Sequence, residues 1–182
     1  MPKPWIDIKS RSILEDALGY KFTNPDLLWQ ALTHPSAILE NHPKAFTRDL
    51  RSLAFVGDSA LSYAVARYLF LNGSDDVVTD RFKLHEGRQR AIKNCDLAKM
   101  AHEKLHLEEY LIRGNGHQDL NETLYSDCLE AILGAIALDC GSNQQEKLFQ
   151  IETYLHQQAE QYLKQADLCK DRAQLFKQEP CG

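Results

Sequence analysis

The stretch Tyr125-Ser126-Asp127-Cys128-Leu129-Glu130-Ala131-Ile132-Leu133-Gly134-Ala135-Ile136 constrains this chain more than any other part of it. A segment so apolar around its whole circumference has to be a buried helix. Glu122 to Leu138 is therefore expected to form the central helix, stopped at Cys140-Gly141. Yet it carries two acids, Asp127 and Glu130, whose spacing of three puts them on one face. An acid in apolar surroundings is costly unless something pairs with it. A second segment, Leu53-Ala54-Phe55-Val56-Gly57-Asp58-Ser59-Ala60-Leu61, poses the same problem with Asp58.

Helical periodicity runs through most of the remaining chain. Ser12 to Leu18 ends at Gly19, a natural C-cap. Asn24-Pro25 opens a helix that stops before Pro35. Residues 36–50 read as a loop with a short helix, and Asp49 to Phe70 as a long helix. Thr79 to Asn94 is basic and helical, and Asp96 to Leu105 is a short helix. Gly114-Asn115-Gly116 reads as a flexible turn, and Gln144 to about Gln165 as a last amphipathic helix. No alternating strand pattern and no internal repeat is present, so the expected class is all-α.

Composition narrows the function classes. No apolar run approaches the roughly 20 residues of a membrane span, so no membrane association is expected. The start, Met1-Pro2-Lys3-Pro4-Trp5-Ile6-Asp7, lacks the apolar core of a secretory signal and the Arg-rich pattern of a transit peptide. The five cysteines form no CxxC pair, which argues against a disulfide framework and a structural zinc site. An intracellular, reducing compartment follows, with cytoplasm, nucleus and mitochondrion undistinguished. Cys128 reads as a small core residue.

The net charge of −5 is unusual for a nucleic-acid binder. From Arg81 to Lys93, however, stand five basic residues (Arg81, Lys83, Arg88, Arg90 and Lys93) against one acid, Glu86. The segment is either an RNA-contacting surface or an ordinary solvated helix face.

If the two acid-bearing helices pack together, Asp58, Asp127 and Glu130 can converge. Hard oxygen donors suit Mg²⁺ or Mn²⁺, with water and phosphate oxygens completing the shell, as in phosphodiester chemistry. The alternative is that these acids are helix-surface residues or members of buried ion pairs. None of the seven histidines forms an HD pair, which disfavours a histidine-based metal phosphohydrolase. His34, before Pro35, reads as a turn residue rather than a general base.

Four elements in order resemble the ribonuclease III family, over about residues 11–163. Ala31-Leu32-Thr33-His34-Pro35-Ser36 is similar to its early "ALTHPS" element, and Leu53-Ala54-Phe55-Val56-Gly57-Asp58 to its signature "LEFLGD". Asn94-Cys95-Asp96-Leu97-Ala98 resembles "N-x-x-L-A", and Asp127 to Ala135 resembles "D-x-x-E-A-L-I-G-A". Residues 1–10 are then an N-terminal extension and 164–182 a polar tail. The resemblance implies an all-α endonuclease domain, a homodimeric helical bundle, cleaving double-stranded RNA with Mg²⁺ to 5′-phosphate and 3′-hydroxyl ends.

Matched position by position, Asp58, Asp127 and Glu130 fall on family metal ligands, with Asp58 and Glu130 catalytic. Phe55 falls on an aromatic that packs into the partner subunit. The family's fourth carboxylate, a Glu, is replaced by Ala54. Arg51 stands where many members have a further Glu, and Ser52 where they have Arg. Some fungal ribonuclease III-like proteins are similar in carrying a small residue at the first of these positions. The 19 residues after Leu163 are too few for the double-stranded RNA-binding domain of bacterial members. RNA affinity is then expected from the catalytic dimer, the 81–93 segment or a partner protein that binds RNA. The competing expectation is a non-catalytic member of the same fold that binds structured RNA or a ribonucleoprotein.

Overall fold

The computed structural model describes residues 6–72, 78–92, 94–116 and 120–139. The expected helix at 144–165 and the tail at 164–182 lie outside them. Among the described residues the elements are helical, with a single isolated bridge, parallel, between Thr33 and Ile112. No described helix is long and apolar enough to cross a membrane. The chain divides into two compact units, residues 1–61 with 94–151, and residues 62–93 with 152–182.

In the first unit, α1 (Ile8–Leu18) begins four residues before the expected start, because Asp7 accepts a hydrogen bond from Ser10 N at 3.0 Å and caps it. Gly19 ends the helix at φ 67°, a left-handed conformation that glycine adopts without strain. The helix α2 (Pro25–Ala31) is capped by Asn24, which accepts from Asp26 N, and opened by Pro25. His34 caps α3 (Pro35–Leu39), its Nδ1 facing Ser36 N at 3.2 Å. The turn role read from the sequence is what His34 performs.

The helix α4 (Arg51–Asn72) starts two residues later than expected. Asp49 stays outside and accepts Arg51 N at 3.0 Å. Further on, α6 (Asn94–Lys99) passes into a π-helical turn, Met100–Lys104, and a short 3₁₀ turn, Leu107–Glu109. The expected single helix over 96–105 is thus two kinds of helix.

The last described element, α7 (Glu122–Asp139), is the buried centre anticipated from its composition. Cys128, Ala131, Ile132 and Ala135 have no exposed surface, and Leu129 and Ile136 have 1% each. α2, α6 and the π turn pack on it. Its end is seated by Asp139, which accepts Tyr20 Oη at 2.9 Å, Thr23 N at 2.7 Å and Asn24 N at 2.8 Å. Residues 114–116 are tied down, contrary to the flexible turn expected. Gly114 N donates to Ser36 Oγ (3.0 Å), while Asn115 N and Gly116 N donate to the Glu40 carboxylate (2.6 and 3.1 Å).

The second unit contributes the rest of α4 from Ser62 and α5 (Arg81–Ala91), which Asp80 caps. Here Gly87 lies against Leu69, where an added Cβ would come within 3.2 Å of Leu69 Cδ1.

Candidate active site

Two glycines decide where the acids stand. A Cβ placed on Gly57 would strike the backbone carbonyl of Glu130 and come within 2.9 Å of Gly134 N. A Cβ on Gly134 would strike the carbonyl oxygen of Leu53 and come within 2.9 Å of Gly57 N. α4 and α7 therefore cross backbone to backbone, closer than side chains ordinarily allow. Asp58 follows one glycine and Glu130 precedes the other by one helical turn, so the crossing draws them together.

The electrostatics register that approach. Glu130 is half-buried, and its carboxyl is pushed up to about 7, first by burial, then by Asp58, then by Asp127. Asp127, also half-buried, is raised by burial. Asp58 is exposed, so the argument from an acid embedded in apolar sequence does not hold for it. Its position beside Glu130 comes from the helix crossing instead. Among the described residues, no group of three or more His, Cys, Asp or Glu side chains stands arranged to hold a metal ion. Glu130 feels the charges of Asp58 and Asp127, and the three do not close into a ready-made chelate. Their oxygen donors suit a hard divalent cation that keeps several waters.

The altered side of the signature has found local partners. Arg51 Nη2 pairs with Asp49 Oδ2 at 2.7 Å, and its Nε donates to Oδ1 at 3.1 Å. That guanidinium holds the Asp49 carboxyl below its ordinary value. Ser52 Oγ accepts from Gln30 Nε2 at 3.0 Å. Ala54, 8% exposed, is buried one turn before Asp58. Phe55 projects from the same helix with 77% of its surface exposed.

In the basic segment, Arg81 and Lys83 are exposed and Arg88 is half-buried, while the side chains of Arg90 and Lys93 lie outside the described residues. Sequence reasoning missed a cluster beside α7. The Glu108 carboxylate sits 3.1 Å from His102 Nδ1 and 3.8 Å from His106 Nδ1, and the His102 ring lies 5.2 Å from that of Tyr125. The spacing of the two histidines, one helical turn, was the available signal; the left-handed His106 (φ 48°), which turns the chain so that Glu108 meets both, was not.

Comparison with known proteins supplies the family. A model of ribonuclease-III-like domains matches residues 24–158. Ribonuclease 3 from Actinobacillus pleuropneumoniae serotype 3 (strain JL03) is 39% identical over 138 residues, which cover 70% of this chain and 54% of that protein. Ribonuclease 3 from Methylococcus capsulatus (strain ATCC 33009 / NCIMB 11132 / Bath) is 37% identical over 140 residues, 74% of this chain and 55% of its own. The chain spans about half the length of these curated relatives. A crystal structure of the nuclease domain of ribonuclease III from Campylobacter jejuni superimposes with a TM-score of 0.68 at 27% identity, covering 85% of this chain and 96% of that one. The fold is that of ribonuclease III nuclease domains. The matched span takes in both helices that cross at Gly57 and Gly134, and the chain belongs to the ribonuclease-III-like family.

Proposed function

We propose that this domain is a divalent-metal-dependent endoribonuclease that hydrolyses double-stranded RNA as a homodimer, leaving 5′-phosphate and 3′-hydroxyl ends. The observation that carries the reading is the backbone-to-backbone crossing at Gly57 and Gly134, which gathers Asp58 with the half-buried Asp127 and Glu130. Such a site is short of positive charge. Asp58, Asp127 and Glu130 would hold Mg²⁺, or Mn²⁺ in its place. When bound, the ion supplies a water of lowered pKa and neutralises charge on the scissile phosphate.

The chain's own residues do the rest. Gly57 and Gly134 fix the spacing of the two acid-bearing helices. With Ala54 in place of the family's Glu, the site would offer the ion one carboxylate fewer, so a higher metal concentration would be required. Phe55, flanked by Ala54 and Val56, fits the face of a second copy of the chain. A solved nuclease domain from Campylobacter jejuni is described by flexibility in the region involved in its dimer formation, in keeping with this assembly. Arg81, Lys83 and Arg88 would meet phosphates, so binding falls steeply with salt. A reducing compartment is part of this proposal, on the ground that five cysteines without a CxxC pair make no disulfide framework.

One observation favours a second reading. Arg51, Ser52 and Ala54 are all absorbed into local structure, as in a scaffold that binds structured RNA without cutting it. Cleavage of long duplex RNA in Mg²⁺ and in Mn²⁺ separates the two. The nuclease reading expects cutting by the parent that Asp58→Asn abolishes. Intact duplex in both metals, with restoration by Ala54→Glu, would establish the scaffold instead.

A further inference from the structure

The two most exposed phenylalanines among the described residues sit in opposite chemical settings. Phe55 (77% exposed) has apolar neighbours in sequence, Ala54 and Val56. Phe82 (79% exposed) stands between Arg81 and Lys83, both exposed, in the first turn of α5. That turn is fixed by its cap, because Asp80 Oδ1 accepts from Phe82 N at 2.8 Å and from Lys83 N at 3.4 Å. The inner side of α5 lies elsewhere, where Gly87 meets Leu69 and Leu84 is half-buried. His85, one turn after Arg81 and three residues after Phe82, is exposed as well.

A large exposed apolar ring whose sequence neighbours are basic has little to offer an apolar protein surface, whose approach would strip the exposed Arg81 of water. It suits a polyanion that carries flat apolar groups of its own. Nucleic acid meets that description, and an aromatic ring with flanking cations is the arrangement by which unpaired bases are stacked and their phosphates neutralised. Paired bases inside an A-form duplex present no free face to such a ring.

We infer that Phe82, with Arg81 and Lys83, is a docking point for an unpaired base of RNA, so that this protein takes stems bearing a loop, bulge or single-stranded end in preference to a continuous blunt duplex. The inference deepens the RNA-cleaving reading and rests on its RNA-binding part only. The occupant is single-stranded RNA adjoining a helix, rather than a second copy of the chain.

The test is binding of the full chain, in EDTA so that no cutting occurs, to two RNAs with the same stem. One is a blunt duplex, and the other is closed by a purine loop containing 2-aminopurine. The parent should bind the hairpin more tightly and quench the loop fluorophore. Phe82→Ala should weaken hairpin binding roughly tenfold, abolish the quench and leave the blunt duplex unaffected. Phe82→Trp should restore both. Arg81→Gln should lower the salt slope by about one on the hairpin. Equal effects of Phe82→Ala on both RNAs, or none on either, overturn the inference. So does a loss of self-association in Phe82→Ala by sedimentation, which would make the occupant a second copy. Cleavage in Mg²⁺ and Mn²⁺ is scored separately: an uncut duplex with Phe82-dependent hairpin binding removes the nuclease reading and leaves this inference standing.

Discussion

The two ends of the α4 signature segment meet different neighbours. At Gly57 and Asp58 the helix touches α7 through bare backbone, and the side chains there are set by a tertiary crossing. At Arg51, Ser52 and Ala54 the side chains are occupied within their own neighbourhood: an aspartate two residues back, a glutamine on α2, and a buried position for the alanine methyl. The end that departs from the family pattern is therefore the end where structure makes no demand for an acid. The end that keeps it is the one where moving any atom disturbs two helices at once.

The harshest way to break this contrast is to put a methyl group into the crossing. In Gly134→Ala the new Cβ meets the carbonyl of Leu53 and lies within 2.9 Å of Gly57 N. Neither is a flexible side chain that can swing aside. Overpacking of this kind commonly costs 1–3 kcal/mol, and against rigid backbone a loss of about 3 kcal/mol or more is expected. Urea unfolding measures it. A loss of stability under about 1 kcal/mol would show that the helices part easily and that the acid spacing is not set here.

Next in size is Ala54→Glu, which adds a carboxylate one turn before Asp58. Cleavage of duplex RNA at limiting Mg²⁺ should rise about tenfold or more, and the Mg²⁺ concentration for half-maximal rate should fall. In EDTA the same variant should be less stable than the parent, since a fourth acid joins a site already short of cations. A stabilised metal-free protein would mean that position 54 does not face the acids.

How much of this was readable beforehand follows the same divide between local and tertiary causes. The helices were legible because apolar spacing is a local signal, and their starts slipped by two to four residues where a capping side chain, Asp7 or Asp49, decided the boundary. The π turn at Met100–Lys104 left no trace, because one extra residue per turn barely alters the apolar spacing that marks a helix. Asp127 and Glu130 stood out by the cost of an acid in apolar sequence. Gly57 and Gly134 did not, because a glycine in a helix looks the same whether or not another backbone lies against it. Asp139 was invisible for a similar reason: its partners Thr23 N and Asn24 N are more than 100 residues away in the chain.

A smaller effect probes the retained acids without RNA. The Glu130 carboxyl is raised from 4.5 to about 7, so the folded chain holds a proton that the unfolded chain has already lost across that window. Stability of the metal-free protein should therefore fall as pH rises from about 4.5 to about 7 and level off above it. The group is only half-buried, so the drop should be about 1 kcal/mol after solvent screening. Glu130→Gln should remove most of the slope, with the raised Asp127 supplying the remainder. A Glu130→Gln variant that keeps the full slope would place its origin outside the crossing.

The gentlest perturbation falls on the altered end. Ser52→Ala removes the acceptor for one hydrogen bond from Gln30, a residue only 3% exposed. Gln30 Nε2 keeps its bond to the Asp49 carbonyl at 3.1 Å, while its other N–H loses its acceptor and is left to water on the side where Ser52 is exposed. The cost should be about 0.5–1 kcal/mol in urea unfolding, with RNA cleavage unchanged. The paired outcome carries the weight. If Ser52→Ala costs little stability and no activity, residues 51–54 serve α2 and the start of α4 and nothing beyond. If it spares stability but lowers cleavage, this end has acquired a part in the reaction that its local hydrogen bonds conceal, and the contrast between the two ends of α4 would have to be redrawn as two forms of service to one site.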